Sequence, residues 1–204
     1  MKGIKNIIFD LGGVIINLDN QLTEDAFVAL GAKPFREYFG HGHAASFFRE
    51  YEIGGISDQQ FIDAIKELTG LSLSDEEVIK AWNALLLDFP VERIQLLKEL
   101  GRRYRIFLFS NTNALHLDHL RKIYRNTFPQ GELDDHFERT YYSHLLGRRK
   151  PDIASYQHIL QENQLAGAET LFVDDALINV EGAEAAGLKG LYLRPGTTLL
   201  DFLW

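Results

Sequence analysis

The sequence of 204 residues contains no cysteine. Disulfide bonds, thiolate zinc sites and cysteine nucleophiles are therefore excluded, and the lack of thiols agrees with a reducing compartment. No stretch reaches the roughly 20 consecutive apolar residues that a membrane-spanning helix needs. The apolar segment near the N-terminus is interrupted by Asp10, which favours a buried strand over a signal peptide. We therefore expect a cytoplasmic protein.

Positive charge is also scarce. The chain has 21 Lys and Arg residues against 29 Asp and Glu residues, which gives a formal net charge of -8. A surface of this sign repels a nucleic-acid backbone or an anionic membrane at long range. We therefore predict that neither nucleic acid nor a membrane is a partner, while the oligomeric state stays open.

Four short apolar runs predict buried β-strands. Their apolarity is continuous rather than alternating, as in parallel strands that are covered on both faces. Amphipathic helical patterns lie between the last three runs, so the sequence predicts an α/β fold with a Rossmann-like, doubly wound parallel sheet. The runs are Asn6–Asp10, Arg105–Ser110, Thr170–Asp174 and Gly190–Leu193.

Helix signals dominate between residues 18 and 90, where no strand-like run occurs. Ser57 and Ser74 are each followed three residues later by Gln or Glu, which is the spacing of a capping box. We therefore expect a helical cap of about four short helices over 18–90, inserted into a Rossmann-like core formed by 1–17 and 91–204.

Asp10 stands at the C-terminal end of the first predicted strand and is followed by Gly12 and Gly13. Open α/β sheets bind ligands at this end of their strands. Glycines there allow a phosphate or a metal ion to approach the backbone. An Asp that only shapes a turn explains this motif equally well when it is taken alone.

The second predicted strand leads into Ser110-Asn111-Thr112-Asn113. Hydroxyl and amide side chains can donate hydrogen bonds to phosphate oxygens, although helix capping is the commoner reason for such a cluster. Lys150 precedes a proline that begins a predicted helix, so its cation is a candidate partner for phosphoryl charge. A basic run such as this is otherwise usually a solvated surface.

Asp174 and Asp175 end the third predicted strand, just before a helix. Adjacent carboxylates repel each other unless a cation compensates, so a hard metal ion such as Mg²⁺ is a natural partner. A helix-capping Asp beside a solvated neighbour is the alternative explanation.

Together, these four segments resemble, in order and placement, the four motifs of the haloacid dehalogenase-like superfamily. The resemblance covers essentially the whole chain, including a helical cap between the first and second motifs. Within the superfamily the motifs look most similar to those of bacterial α-D-glucose-1-phosphate phosphatases. The resemblance implies a Mg²⁺-dependent phosphatase that acts on a small phosphorylated metabolite, in particular a sugar phosphate.

The resemblance also implies which residues bind the metal ion. Asp10 would be the nucleophile that forms a transient aspartyl-phosphate. The Asp10 carboxylate, the Gly12 backbone carbonyl and Asp175 would hold Mg²⁺. Asp174 would either bind the ion weakly or contact the ligands without binding the ion itself.

The second and third motifs would bind the phosphoryl group. Ser110 and Lys150 would stabilise its oxygens, with Asn111 and Thr112 beside them as substrate-binding residues. Such positioning and charge stabilisation dominate phosphoryl transfer.

Gly12 is a departure from the usual motif, because phosphatases of this superfamily carry a second Asp at that position. That Asp protonates the leaving oxygen and then activates water, a contribution typically worth about 10²–10⁴ in rate. A side chain from the cap, a water chain or an easily displaced leaving group would have to replace it. The cap candidates are Glu50, Glu52, His41 and His43.

Gly12 keeps two other functions open. The chain could be a catalytically weak relative that acts as a binding or regulatory protein. It could also be a dehalogenase, since dehalogenases of this superfamily lack the second Asp as well. The Asp174-Asp175 pair argues against the latter, because dehalogenation needs no divalent cation.

Two histidine pairs have spacings that can bind a transition metal. They are His41 with His43 and His116 with His119. No set of three or four ligands can be assembled around either pair from the sequence. We therefore interpret all four as ordinary surface or cap histidines.

Overall fold

The computed structural model of the chain describes residues 2–33 and 46–204. Within these ranges, parallel strands form one sheet in the order β3-β2-β1-β4-β5. This sheet confirms the predicted α/β, doubly wound fold. The strands are β1 (Asn6–Phe9), β2 (Arg105–Ser110), β3 (Arg139–Tyr142), β4 (Thr170–Asp174) and β5 (Lys189–Tyr192).

Helices connect the strands and fill the segment between β1 and β2. Those before β2 are α1 (Asn20–Ala29), α2 (Ser46–Glu52), α3 (Asp58–Thr69), α4 (Asp75–Trp82) and α5 (Val91–Leu100). Those after β2 are α6 (Ala114–Thr127), α7 (Ser143–Leu146), α8 (Ile153–Glu162) and α9 (Leu177–Ala185). Short 3-10 turns lie at Asn83–Leu85, Leu133–His136, Gly167–Glu169 and Leu199–Asp201. In the described ranges, no helix combines the length and apolarity that a membrane crossing requires.

Side chains of β1 alternate between the two faces of the sheet, as in any β-strand. Ile7 and Phe9 belong to an apolar cluster that includes residues of α5 and α6. Ile8 belongs to a second cluster, with residues of α8 and α9. All three side chains are fully buried. Helices therefore cover both faces, which explains why the strand sequence is continuously apolar.

The register of the sheet determines which side chains meet at its carboxyl edge. Phe9 of β1 pairs with Leu108 of β2 and with Val173 of β4. Asp10, the residue that follows β1, is therefore level with Asp174. Its backbone N–H donates to the Val173 carbonyl over 2.8 Å.

A separate apolar cluster lies among α1 to α4, around the fully buried ring of Phe61. The ring of Tyr51 stacks on Phe61 at 4.1 Å, and the ring of Trp82 lies 4.8 Å away. The predicted capping boxes at Ser57 and Ser74 are both formed. We propose that this cluster is the core of an inserted cap with the boundaries 18–90.

Candidate active site

Lys150 lies buried at the carboxyl edge of the sheet, between two of the predicted site carboxylates. Its Nζ is 2.6 Å from Asp10 Oδ1 and 2.7 Å from Asp174 Oδ2. Only 1% of its side chain is exposed, so its ammonium group is compensated by carboxylates rather than by water. The structure thus brings together the first, third and fourth sequence motifs.

Asn111 fixes the backbone of Lys150. Its side-chain Nδ2 donates to the Lys150 carbonyl over 3.0 Å, and the Lys150 N–H donates to Asn111 Oδ1 over 2.9 Å. The Lys150 ammonium also lies over the rings of Phe109 and Phe172, at 5.6 and 5.5 Å from their centroids. Asn111 lines the cavities beside the site as well, so its predicted contact with substrate stays a prediction.

Asp174 is fully buried and accepts several hydrogen bonds. The backbone N–H of Ala176 donates to its Oδ1 over 2.8 Å, and Asn179 Nδ2 lies 3.1 Å from both carboxylate oxygens. The sequence analysis missed Asn179. Its place in the first turn of the helix after the Asp pair is the signal that points to it.

Asp175 completes a group of three carboxylates. One oxygen from each of Asp10, Asp174 and Asp175 lies within 4.8 Å of the others. Gly13 makes room for this arrangement, since a Cβ there would lie only 2.2 Å from Asp175 Oδ2. Its φ of 70° is in the left-handed region, which favours glycine.

Three carboxylates share one lysine, and burial together with the excess of negative charge shifts the pKa values of Asp10 and Asp175. Burial raises the pKa of Asp10 to about 7, with Lys150 opposing this shift and Asp174 adding to it. Burial and Asp174 also raise the pKa of Asp175. Burial lowers the pKa of Lys150, but the two carboxylates outweigh it and the net shift is upward. A divalent cation at this position would relieve the repulsion.

Hydroxyl groups from β2 and the segment after it lie beside the carboxylates. Ser110 and Thr112 are buried and line a cavity of about 250 Å³ together with Asp10 and Lys150. The Thr112 backbone is held by Ser143, whose Oγ accepts from the Thr112 N–H and donates to its carbonyl, both at 2.9 Å. Ser143 is a second residue that the sequence analysis missed.

A larger cavity of about 490 Å³ lies between the proposed cap and the sheet edge. Asn111, Thr112 and His116 line both cavities, so the two adjoin. The lining of the larger one combines the apolar side chains of Leu18, Trp82 and Leu85 with polar residues, which are Asn20, Gln21, Thr23, Glu24, Glu52, Asn111, Thr112, Asn113 and His116. Asn113 also caps α6, since its Oδ1 accepts from the His116 N–H over 3.0 Å.

His116 corrects one interpretation of the sequence, because it is buried rather than at the surface. Its ring stacks on Trp82 at 4.8 Å, and its Nδ1 lies 2.9 Å from Asn83 Oδ1. Burial lowers its pKa to about 3, so the ring is neutral. His119 is only partly buried, and His41 and His43 lie outside the described residues.

The space beside Gly12 is filled by an apolar side chain. A Cβ at Gly12 would lie 2.5 Å from Leu18 Cδ1. Of the proposed substitutes, Glu50 is exposed and its Oε2 lies against Gly55, whereas Glu52 lines the larger cavity. Of the two described cap candidates, Glu52 is therefore the one that lines a cavity adjoining the site.

The sheet is parallel and doubly wound, and its carboxyl edge holds a buried lysine among three carboxylates. This arrangement is typical of an α/β enzyme whose site is suited to phosphate or ester chemistry. The model of one family, haloacid dehalogenase-like hydrolase, matches residues 4–187. The chain therefore belongs to the haloacid dehalogenase-like hydrolases, as the sequence motifs predicted.

Its curated relatives include phosphatases. The chain is 29% identical over 187 residues to D-ribitol-5-phosphate phosphatase of Bacteroides thetaiotaomicron, covering 91% of this chain and 90% of that protein. It is 28% identical over 198 residues to the sesquiterpene phosphatase AstK of Aspergillus oryzae, covering 93% and 89%. Among solved structures, the wild-type family enzyme BT-2542 of Bacteroides thetaiotaomicron, in complex with magnesium and inorganic phosphate, is 32% identical. It superposes with a TM-score of 0.88 and covers 97% of this chain and 98% of that chain.

Proposed function

We propose that the chain is a Mg²⁺-dependent phosphatase that hydrolyses a small phosphomonoester, in particular a sugar or polyol phosphate, through an aspartyl-phosphate on Asp10. The observation that carries this proposal is the convergence of Asp10, Lys150 and Asp175 on one small cavity. The phosphatase relatives and the magnesium and phosphate complex of BT-2542 support it.

The donor set fits Mg²⁺, which prefers hard oxygen ligands. Asp10, Asp175 and the Gly12 carbonyl would hold the ion. Asp174 is less available, because Lys150 and Asn179 already occupy its oxygens. The ion would neutralise the carboxylates and the phosphate that must approach them.

Asp10 would attack phosphorus with its carboxylate, and the ester oxygen would leave from the opposite side. Lys150, held 2.6 Å from Asp10, would place its positive charge beside the transferring oxygens. Ser110 and Thr112 would donate hydrogen bonds to the same oxygens. Water would then hydrolyse the aspartyl-phosphate and return Asp10 to its carboxylate form.

The larger cavity suits a hydroxylated substrate. Polar side chains such as Asn20 and Glu52 could pair with substrate hydroxyls, while Leu18, Trp82 and Leu85 would pack against its carbon atoms. A sugar or polyol phosphate is the substrate class that uses both parts of this lining. The ribitol-phosphate relative supports this class.

Phosphate release from a panel of sugar and polyol phosphates with Mg²⁺ tests the proposal. We expect turnover by the wild-type protein and a loss of at least about 10³-fold in Asp10→Asn, because an amide cannot serve as the nucleophile. Asp63→Asn is the matched control, since Asp63 is exposed on α3 and should keep wild-type activity. Equal phosphate release by wild type and Asp10→Asn would refute the proposal.

A weak, binding-only relative is a second candidate, because Leu18 fills the space beside Gly12. It would bind phosphate or a phosphorylated ligand with Mg²⁺ but would show no turnover on any member of the panel. Turnover by the wild-type protein above the Asp10→Asn background would exclude this candidate.

A further inference from the structure

We propose that Glu52 of the cap helix α2 is the proton donor and acceptor that takes the place of the carboxylate missing at position 12. This inference rests on the proposed phosphatase function and identifies the residue that completes its site. It is carried by the position of Glu52 in the wall of the larger cavity, which Asn111 and Thr112 also line, and by its contact with Arg149.

The carboxylates at the sheet edge are already committed to other interactions. Asp10 is the proposed nucleophile, and Asp175 is a proposed metal ligand. Asp174 is buried with Lys150 and Asn179 on its oxygens. A carboxyl group that donates the proton would therefore have to come from another part of the cavity lining.

Glu52 is held beside the phosphate site by the residue that precedes Lys150. Arg149 Nη1 lies 3.1 Å from Glu52 Oε2. The pair is at most one-third exposed, with 33% of the Glu52 side chain open to solvent. Arg149 thus positions a carboxyl group that still reaches the cavity, where it can exchange a proton with a ligand.

The electrostatic surroundings of Glu52 suit a proton donor. Burial raises its pKa, while the cations of Arg149, Lys150 and Arg49 oppose that shift, and the net direction is upward. Arg149, the partner of Glu52, is the chain neighbour of the Lys150 that contacts Asp10. A carboxyl group with a raised pKa can remain protonated nearer to neutral pH, as a general acid must.

His116 and Glu50 are poorer candidates. His116 is neutral, with a pKa lowered by burial to about 3, so it has no imidazolium proton to give near neutral pH. Glu50 is exposed and lies against Gly55. Glu24 also lines the larger cavity, from α1, but Glu52 is the carboxylate that pairs with the residue preceding Lys150.

The proposed proton transfers balance over the two steps. As Asp10 bonds to phosphorus and the ester P–O bond breaks, the Glu52 carboxyl gives its proton to the leaving oxygen, which departs as an alcohol. The Glu52 carboxylate then takes a proton from water as the water oxygen bonds to phosphorus. The bond between phosphorus and Asp10 breaks in that step, so phosphate, the Asp10 carboxylate and protonated Glu52 are regenerated.

Glu52→Gln tests this role with two leaving groups. For a polyol phosphate, whose alkoxide needs a proton, we expect kcat/KM to fall by about 10²–10⁴. For p-nitrophenyl phosphate, whose leaving group needs none, we expect a fall of less than about tenfold. Glu50→Gln is the matched control and should lose activity on neither substrate. Equal losses on both substrates would overturn the proposal, because they would indicate a role in folding or binding alone.

The pH profile provides a second readout that does not depend on Glu52→Gln. Because the acid must be protonated, kcat/KM for the polyol phosphate should fall as pH rises through the pKa of Glu52. Arg149→Met removes a cation that lowers this pKa, so the fall in kcat/KM should occur at higher pH in this variant. The same pH for this fall in both proteins would also overturn the proposal. If the wild-type protein instead released no more phosphate than Asp10→Asn from either substrate, the proposed function itself would fail.

Discussion

Lys150 is the residue around which the charges of the site are balanced. One buried ammonium contacts two carboxylates, at 2.6 and 2.7 Å, and Asp175 stands beside them. Removing one partner of such a group leaves an uncompensated buried charge, which commonly costs about 3–5 kcal/mol. The arrangement therefore orders the site before substrate binds, and it leaves a negative charge that a divalent cation would neutralise.

His116 makes stability depend on pH in the mildly acidic range. Its pKa is lowered from 6.5 to about 3 in the folded chain by burial, so only the unfolded chain takes up its proton between these values. Stability is therefore lost as pH falls below 6.5. In the wild-type protein, His116 should make the free energy of unfolding about 2 kcal/mol lower at pH 5 than at pH 7. His116→Gln should remove that difference, because Gln does not titrate.

Urea unfolding of wild type and His116→Gln at both pH values measures the effect. Gln can still donate to Asn83 Oδ1, which His116 contacts at 2.9 Å, so the variant keeps that hydrogen bond. Other titrating groups contribute equally to both proteins and cancel in the comparison. Parallel losses of stability in the two proteins would contradict a neutral, buried His116.

At the scale of elements, the turn after β1 gives the proposed metal ligand Asp175 its space. Gly13 has φ 70°, and a Cβ there would lie 2.2 Å from Asp175 Oδ2. Gly13→Ala should therefore displace the Asp175 carboxylate and raise the Mg²⁺ concentration for half-maximal activity by about 10–100-fold, the range seen when metal-ligand support is lost.

Gly70→Ala is the control for backbone strain. Gly70 ends α3 with φ 67°, and no atom lies within 4 Å of the position of its Cβ. Both variants should lose a similar amount of stability from the left-handed backbone. Only Gly13→Ala should change the Mg²⁺ requirement in phosphate-release assays. A matching change in Gly70→Ala would show that the effect comes from strain alone.

The elements that could be predicted are those whose signals are local. Continuous apolar runs indicated β1, β2, β4 and β5, and the spacing after Ser57 and Ser74 indicated capping boxes that the structure contains. The edge strand β3 was missed, because its sequence Arg139-Thr-Tyr-Tyr has no apolar run. It is a strand because it pairs with β2, a contact between distant parts of the chain.

Several features of the site could not be predicted, since they depend on distant contacts. Ser143 holds the Thr112 backbone from 31 residues away. Leu18 fills the space beside Gly12, and His116 is buried against Trp82. The sequence indicated which side chains carry reactive groups, whereas only the packing of the proposed cap on the core shows which of them face the cavity.

At the scale of the whole molecule, the proposed proton donor and the nucleophile belong to different parts of the chain. Asp10 follows strand β1 of the sheet, whereas Glu52 ends helix α2 and lines the larger cavity. If Glu52 is the proton donor, the acid reaches the leaving group only when cap and core are packed together. Catalysis would then depend on the packing of cap and core. This dependence would be weaker in a relative whose nucleophile and general acid lie on the same loop.

A carboxyl group introduced at position 12 should make protonation of the leaving group independent of Glu52. In the Glu52→Gln background, Gly12→Asp combined with Leu18→Ala places a carboxyl group beside Asp10. Leu18→Ala removes the Cδ1 atom that would lie 2.5 Å from the new Cβ. We expect kcat/KM for a polyol phosphate to rise by about 10–100-fold over Glu52→Gln, part of the usual contribution of a general acid. Gly12→Asn in the same background has the same shape but no proton to give, and it should not recover activity. Equal activities of the Asp and Asn variants would show that the proton donor cannot be transferred from cap to core.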